Sequence, residues 1–123
     1  MRDELQTSLR ERYPELFDQT DGTLPINRWG IEVGDGWYGI IDAVLDVAHW
    51  HCRDQGKRLT VIDCKQKFGT LRVMFRGDVD DHMRGAVDAA LAVSARTCEC
   101  CGSSGRFRES QAATRCDTCA KVG

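Results

Sequence analysis

Apolar positions along this chain change period twice, and the changes mark its elements. Leu5, Leu9, Tyr13, Leu16 and Phe17 recur at helical spacing, which predicts a helix over 3–17 that breaks at Pro14. Proline suits the first turn of a second short helix there. "DQTDGTLP" collects turn formers and reads as a loop, and residues 31–33 offer a short strand. "GDGW" is then a glycine-rich turn, with Asp35 placed to accept the free N–H groups of the next helix. Ile40, Ile41, Val44, Leu45, Ala48 and Cys52 form the clearest helical stripe, over about 37–53, with Gly56 near its stop.

The period then falls to two. Leu71, Val73 and Phe75 alternate with Arg72, Met74 and Arg76, while Leu59, Val61 and Ile62 precede Gly69. The pattern predicts an antiparallel hairpin over 59–76. Helical spacing returns over about 79–95 through Met83, Ala86, Val87, Ala90 and Leu91. Asp78, Asp80 and Asp81 stand at its start, where the helix dipole favours negative charge. The expected fold is α+β: a core domain over 1–96, with helices packed on a small antiparallel sheet, and a zinc-binding tail over 97–123.

The tail, "CECCGSSGRFRESQAATRCDTC", holds five of the seven cysteines. Cys98 and Cys101 form one C-x2-C, and Cys116 and Cys119 another. Two such turns can aim four thiolates at one tetrahedral centre. Thiolates suit Zn²⁺, and four protein ligands leave no open position, so the expected cofactor is structural zinc. Free buried cysteines, a redox dithiol or iron are the other readings. Cys100 allows a shifted register in which it replaces a neighbour; spacing favours Cys98 and Cys101. "GRFRES…ATR" can supply a hairpin and "CDTCAKV" a short helix, so the tail is expected to be a zinc ribbon or a treble-clef knuckle. With few large apolar residues, it is expected to need the metal to fold.

Composition narrows the setting. No apolar run approaches the roughly 18–20 residues of a membrane span, so no membrane partner is expected. The N-terminus is charged from residue 2 and does not read as a secretory signal. A cytoplasmic location follows as the expectation, and there thiols stay reduced. The net charge is −2, split into −4 over residues 1–60 and +2 over 61–123. That asymmetry lacks the strong basic field of a dedicated nucleic-acid binder.

Other candidate chemistry is thin. His49 and Cys52 share a helical face, and Asp78, Asp81 and His82 could form a carboxylate–histidine site. Both groups read more simply as core or solvated residues. No metalloprotease, deaminase, P-loop or hydrolase signature is present. No catalytic residue is assigned, and the chain reads as a non-enzyme. Trp37 and Tyr38 flank the glycine turn as candidate anchors for a partner, or as core caps. Arg106, Arg108 and Arg115 surround the knuckles. They can meet phosphates, or offset the charge that four thiolates and one Zn²⁺ leave behind.

"GDGWYGIIDAVLD", "KQKFGTLRVMF", "SARTCECCGSSGRFR" and "RCDTC" together resemble a group of small phage- and prophage-encoded zinc-knuckle proteins. The likeness covers roughly residues 30–119, with Cys100 a departure inside the first knuckle. It implies a mobile element in a bacterial host rather than an activity. Small phage accessory proteins often bind and block host machinery, CRISPR and other defence complexes among it. The expectation is therefore a zinc-stabilised binding protein acting on a host protein complex, as an anti-CRISPR type inhibitor. The alternatives are nucleic-acid binding through the arginine-rich tail, and a metal- or thiol-dependent enzyme.

Overall fold

The structure, a computed structural model, describes residues 1–122, with only the backbone of Val122. The chain is α+β, as the periodicity predicts. Helix α1 (Asp3–Arg12) leads through a 3-10 turn at Pro14–Leu16 to a loop and to α2 (Pro25–Trp29). The long helix α3 (Tyr38–Gln55) precedes the hairpin β1 (Leu59–Lys67) and β2 (Thr70–Gly77), and α4 (Asp81–Ser94) returns across it. Helix α4 packs on both β2 and α3, and α2 packs on β1.

The core gathers the apolar stripes of every element. Leu9, Tyr13 and Leu16 from the N-terminal segment meet Trp37, Ile41, Leu45 and Ala48. Val61, Cys64, Leu71 and Val73 of the hairpin and Met83 of α4 complete it. Asp80 caps α4 by accepting the Met83 N–H at 3.1 Å.

Three local expectations are corrected. Helix α2 starts at the last residue of the expected loop and fills the stretch before residue 31, for which no element was expected. Its five residues are too few to show a helical period, and Pro25 at its first turn starts it. Residues 31–33 make only one parallel bridge, Glu32 to Lys65, rather than a strand. Asp35 opens a 3-10 turn (Asp35–Trp37) that leads into α3, and its side chain does not cap that helix. Its carboxylate instead accepts the Arg2 N–H at 2.9 Å and pairs with the Arg2 guanidinium at 2.7 Å, closing the start of α1.

Two features of the hairpin are decided by pairing. The register slips between Val61 and Asp63, so Ile62 is an extra residue in β1. The bulge changes parity, which lets both Val61 and Cys64 face the core. The turn is two residues long, with φ +53° at Phe68 and +75° at Gly69. Such turns favour Asn-Gly or Asp-Gly. A phenylalanine in left-handed backbone costs about 1–2 kcal/mol, and this one stays 76% exposed.

The tail continues as β3 (Arg106–Arg108), β4 (Ala113–Arg115) and α5 (Asp117–Val122). It begins directly after α4 and rests against the core.

Candidate metal centre

The first knuckle is shaped by its own backbone. Cys98 N–H donates to the Ser103 carbonyl at 2.7 Å, and Gly102 N–H donates to the Cys98 carbonyl at 2.9 Å. Gly105 N–H reaches back to the Arg96 carbonyl at 2.9 Å, and Thr97 bridges Ser104. These bonds fold residues 97–105 into a tight loop that turns Cys98 and Cys101 to one side. After the β3–β4 hairpin, Cys116 and Cys119 flank the start of α5. Cys119 N–H points at the Cys116 sulfur, 3.4 Å away. The order knuckle, hairpin, helix is that of a treble clef.

The four sulfurs of Cys98, Cys101, Cys116 and Cys119 lie within 4.8 Å of one another. Cys101 Sγ and Cys116 Sγ are 3.7 Å apart. A tetrahedral metal with bonds of about 2.3 Å separates its sulfurs by about 3.8 Å. The four cysteines therefore form a site that could hold a metal ion, and the spacing is compatible with zinc. Cys100, the register ambiguity in the sequence, is exposed and outside this set.

The electrostatics fit a cation. Burial opposes ionisation of Cys98, yet the backbone amides of Cys116, Cys101 and Cys100 aim at its sulfur and bring the thiol down to about 6. The Ser103 hydroxyl and N–H lower Cys101 in the same way. Cys119 is instead held well above an ordinary thiol by the sulfurs of Cys116, Cys101 and Cys98 around it. The site thus yields a first thiolate readily and resists the last. A divalent ion cancels that accumulated charge.

The core holds the knuckle through residues far upstream. Gly36 N–H donates to the Glu99 carbonyl at 2.8 Å, and Gly34 N–H to the Glu99 carboxylate at 2.9 Å. A Cβ on Gly36 would stand 2.7 Å from Cys101 N and 2.6 Å from Gly102 N, so no other residue lets the two backbones approach this closely. Trp37 Nε1–H donates to the Thr97 carbonyl at 2.8 Å. From the hairpin turn, the Gly69 carbonyl accepts the Thr114 hydroxyl at 2.7 Å, and Gln66 Nε2 donates to the Ala112 carbonyl at 2.9 Å. "GDGW", "KFGT" and the cysteine tail are three stretches of sequence and one contact region. Sequence reasoning treated "GDGW" as a capping turn and missed this; its paired glycines were the available signal.

The remaining candidates are dispersed. Trp37 is fully buried, which removes it as an exposed anchor: its ring fills the core and its N–H is used by Thr97. Tyr38 is half-buried, its hydroxyl 3.0 Å from Ser8 Oγ. Arg108 pairs with Asp117 at 2.7 Å and donates to the Arg115 carbonyl, and Arg115 Nε is buried without a partner. Arg106 alone of the three is exposed and in no ion pair among the described residues. His49 bonds Glu15, and His51 bonds Asp80 at 2.7 Å while stacking on His82. Neither His49 with Cys52 nor His82 with Asp78 and Asp81 forms a ligand group among the described residues.

The molecule is thus an α+β fold whose C-terminal cluster of four cysteines fits a zinc knuckle and could hold a metal ion. No family model, curated protein or solved structure matches the chain. No described helix is long and apolar enough to cross a membrane.

Proposed function

We propose that this chain is a zinc-stabilised, non-enzymatic binding protein of phage origin. It acts by docking on a host protein complex, as an inhibitor of bacterial defence of the anti-CRISPR type. Zinc at Cys98, Cys101, Cys116 and Cys119 is structural in this reading, because four protein sulfurs leave no position for a substrate or an activated water. The phage setting rests on the sequence blocks quoted above.

The observation that carries the partner reading is a groove between α3 and α4. Ile40, Ala43 and Val47 line one wall, and Ala86, Ala89 and Val93 the other, around a volume of about 400 Å³. Both walls repeat the same three- and four-residue steps, the spacing by which a groove accepts an amphipathic helix. Asp46, Trp50 and Asp54 surround the adjoining hollow. The acidic pair at that end selects a helix that carries Lys or Arg beside its apolar face.

Two measurements test the proposal. Elemental analysis of the purified protein should give one zinc per chain, lost in Cys116→Ser; iron, or no metal, overturns the zinc assignment. Wild-type protein and the Val47→Arg/Ala89→Arg variant should then be used as bait in a bacterial lysate treated with nuclease. A defence component held by wild type and lost by the variant, with zinc content unchanged, supports the reading. Equal capture by both, or by neither, overturns it.

A further inference from the structure

Where the two hairpins meet, two aromatic rings stand in solvent for which the core has no use. Phe68 is 76% exposed at the tip of the β1–β2 turn, in left-handed backbone that disfavours a bulky side chain. Phe107 is 41% exposed on β3. It lies directly against Gly69, where a Cβ would overlap its ring. The Thr114 hydroxyl, bonded to the Gly69 carbonyl, locks the junction. A strained residue that also exposes its ring marks a position kept for something other than folding.

The surroundings are cationic. Residues 64–77 contain four Lys and Arg and no Asp or Glu. Lys67 Nζ lies 5.9 Å from the centre of the Phe68 ring. The strand register puts Arg72 beside Lys65, on the same face as Lys67. Lys65 is paired with Asp63 and Arg76 with Asp18 and Asp21, whereas Lys67, Arg72 and Arg106 near the two rings form no ion pair among the described residues. Arg106 faces Arg115 across the β3–β4 pair, a like-charge juxtaposition that an anion relieves. Glu99 turns its carboxylate inward to Gly34 and Gln66, which leaves Glu109 as the acidic neighbour of Phe107.

We propose that this junction binds single-stranded nucleic acid, with bases stacking on Phe68 and Phe107 and phosphates meeting Lys67, Arg72 and Arg106. Aromatic faces interleaved with cations are the recognition chemistry of unpaired strands. The strand must be single because the faces of paired bases are already stacked. A protein partner fits less well here: two separate rings at a turn supply little of the roughly 800 Å² that a stable interface buries on each side. The site is distinct from the α3–α4 groove and differs from a tail-arginine site, since Arg108 is paired with Asp117 and the Arg115 Nε is buried.

The test is fluorescence anisotropy of a labelled dT15 strand against a blunt duplex of the same length, with the full zinc-loaded chain. The expected result is salt-sensitive binding of dT15 and at least tenfold weaker binding of the duplex. Phe68→Asn relieves the strained turn, so it should fold at least as well as wild type while weakening dT15 binding about tenfold or more. Lys67→Ala and Arg106→Ala should each lower the salt slope by about one. No dT15 binding at low salt, equal binding of duplex, or full binding by Phe68→Asn overturns the proposal. Loss of a lysate protein by Phe68→Asn without dT15 binding overturns it in favour of a protein ligand. Val47→Arg/Ala89→Arg should leave dT15 binding unchanged, so the groove reading and this one fail separately.

Discussion

The core and the tail are held together by different forces. Residues 1–96 close around side chains such as Trp37, Ile41, Leu45, Leu71 and Met83, all essentially inaccessible to water. The tail buries little by comparison: Cys98, Ala113 and Thr114 are its fully buried residues, and Phe107 is turned outward. Its shape comes from backbone hydrogen bonds, from four converging sulfurs and from the core surface beneath it. The difference is one of dependence. The core is therefore expected to fold alone, and the tail to need both a metal and the core.

Removing the metal should break the comparison open most widely. Structural zinc sites contribute about 10–16 kcal/mol of apparent binding energy in small peptides, and that energy is folding energy. Chelation, or Cys116→Ser, should therefore release residues 98–120 while the core persists. Hydrogen exchange should show tail amides at unfolded rates with those of Leu45 and Val73 still protected. Collapse of both regions together would show that the core also leans on the tail.

The reverse experiment should fail both regions at once. Leu45→Ala opens a cavity in the middle of the core and should cost about 2–5 kcal/mol. Zinc-tail signals should disappear in the same thermal transition as the core signals, because Gly34, Gly36 and Trp37 are the surface on which the knuckle rests. A tail that outlasts the core would show that it does not depend on the core.

Gly36→Ala probes the contact itself. The new methyl would press on the knuckle backbone, with a cost of about 1–3 kcal/mol by analogy with overpacked cores. Zinc competition against a chromogenic chelator should show about tenfold weaker binding. Unchanged zinc affinity would mean that the knuckle forms without the "GDGW" cradle.

The smallest effect belongs to the core alone. Asp80 caps α4 and bonds His51, and the His51 contact is the main reason its carboxyl lies at about 2, below the unfolded value of about 3.9. A carboxyl depressed on folding adds stability above its unfolded pKa and loses it as pH falls toward the folded one. Asp80→Ala should lower the melting midpoint by a few degrees near neutral pH. The difference from wild type should shrink between about pH 4 and pH 2, with zinc content at neutral pH unaffected.

Much of the architecture was legible because it rests on periodicity. The stripes of α3 and α4 and the alternation of β2 each declare the face to be buried, and the two C-x2-C pairs declare the four sulfurs that converge. Helix α2 was not legible, since five residues cannot display a period. The Ile62 bulge was not legible either, because it exists only in the pairing of β1 with β2. Trp37 was ambiguous for a related reason: nothing in a linear sequence says whether a tryptophan beside a turn faces in or out.

The sequence by itself determined the elements, the α+β class and the four sulfurs, because each depends on spacing along the chain. Only the tertiary structure decided that "GDGW" and "KFGT" cradle the tail, that Cys100 lies outside the four converging sulfurs, and that Arg108 is paired with Asp117 while Phe68 and Phe107 are exposed. These facts depend on which backbones approach closely enough to exclude a methyl group or exchange a hydrogen bond. Residues sixty positions apart, such as Trp37 and Thr97, meet only when the whole chain has folded.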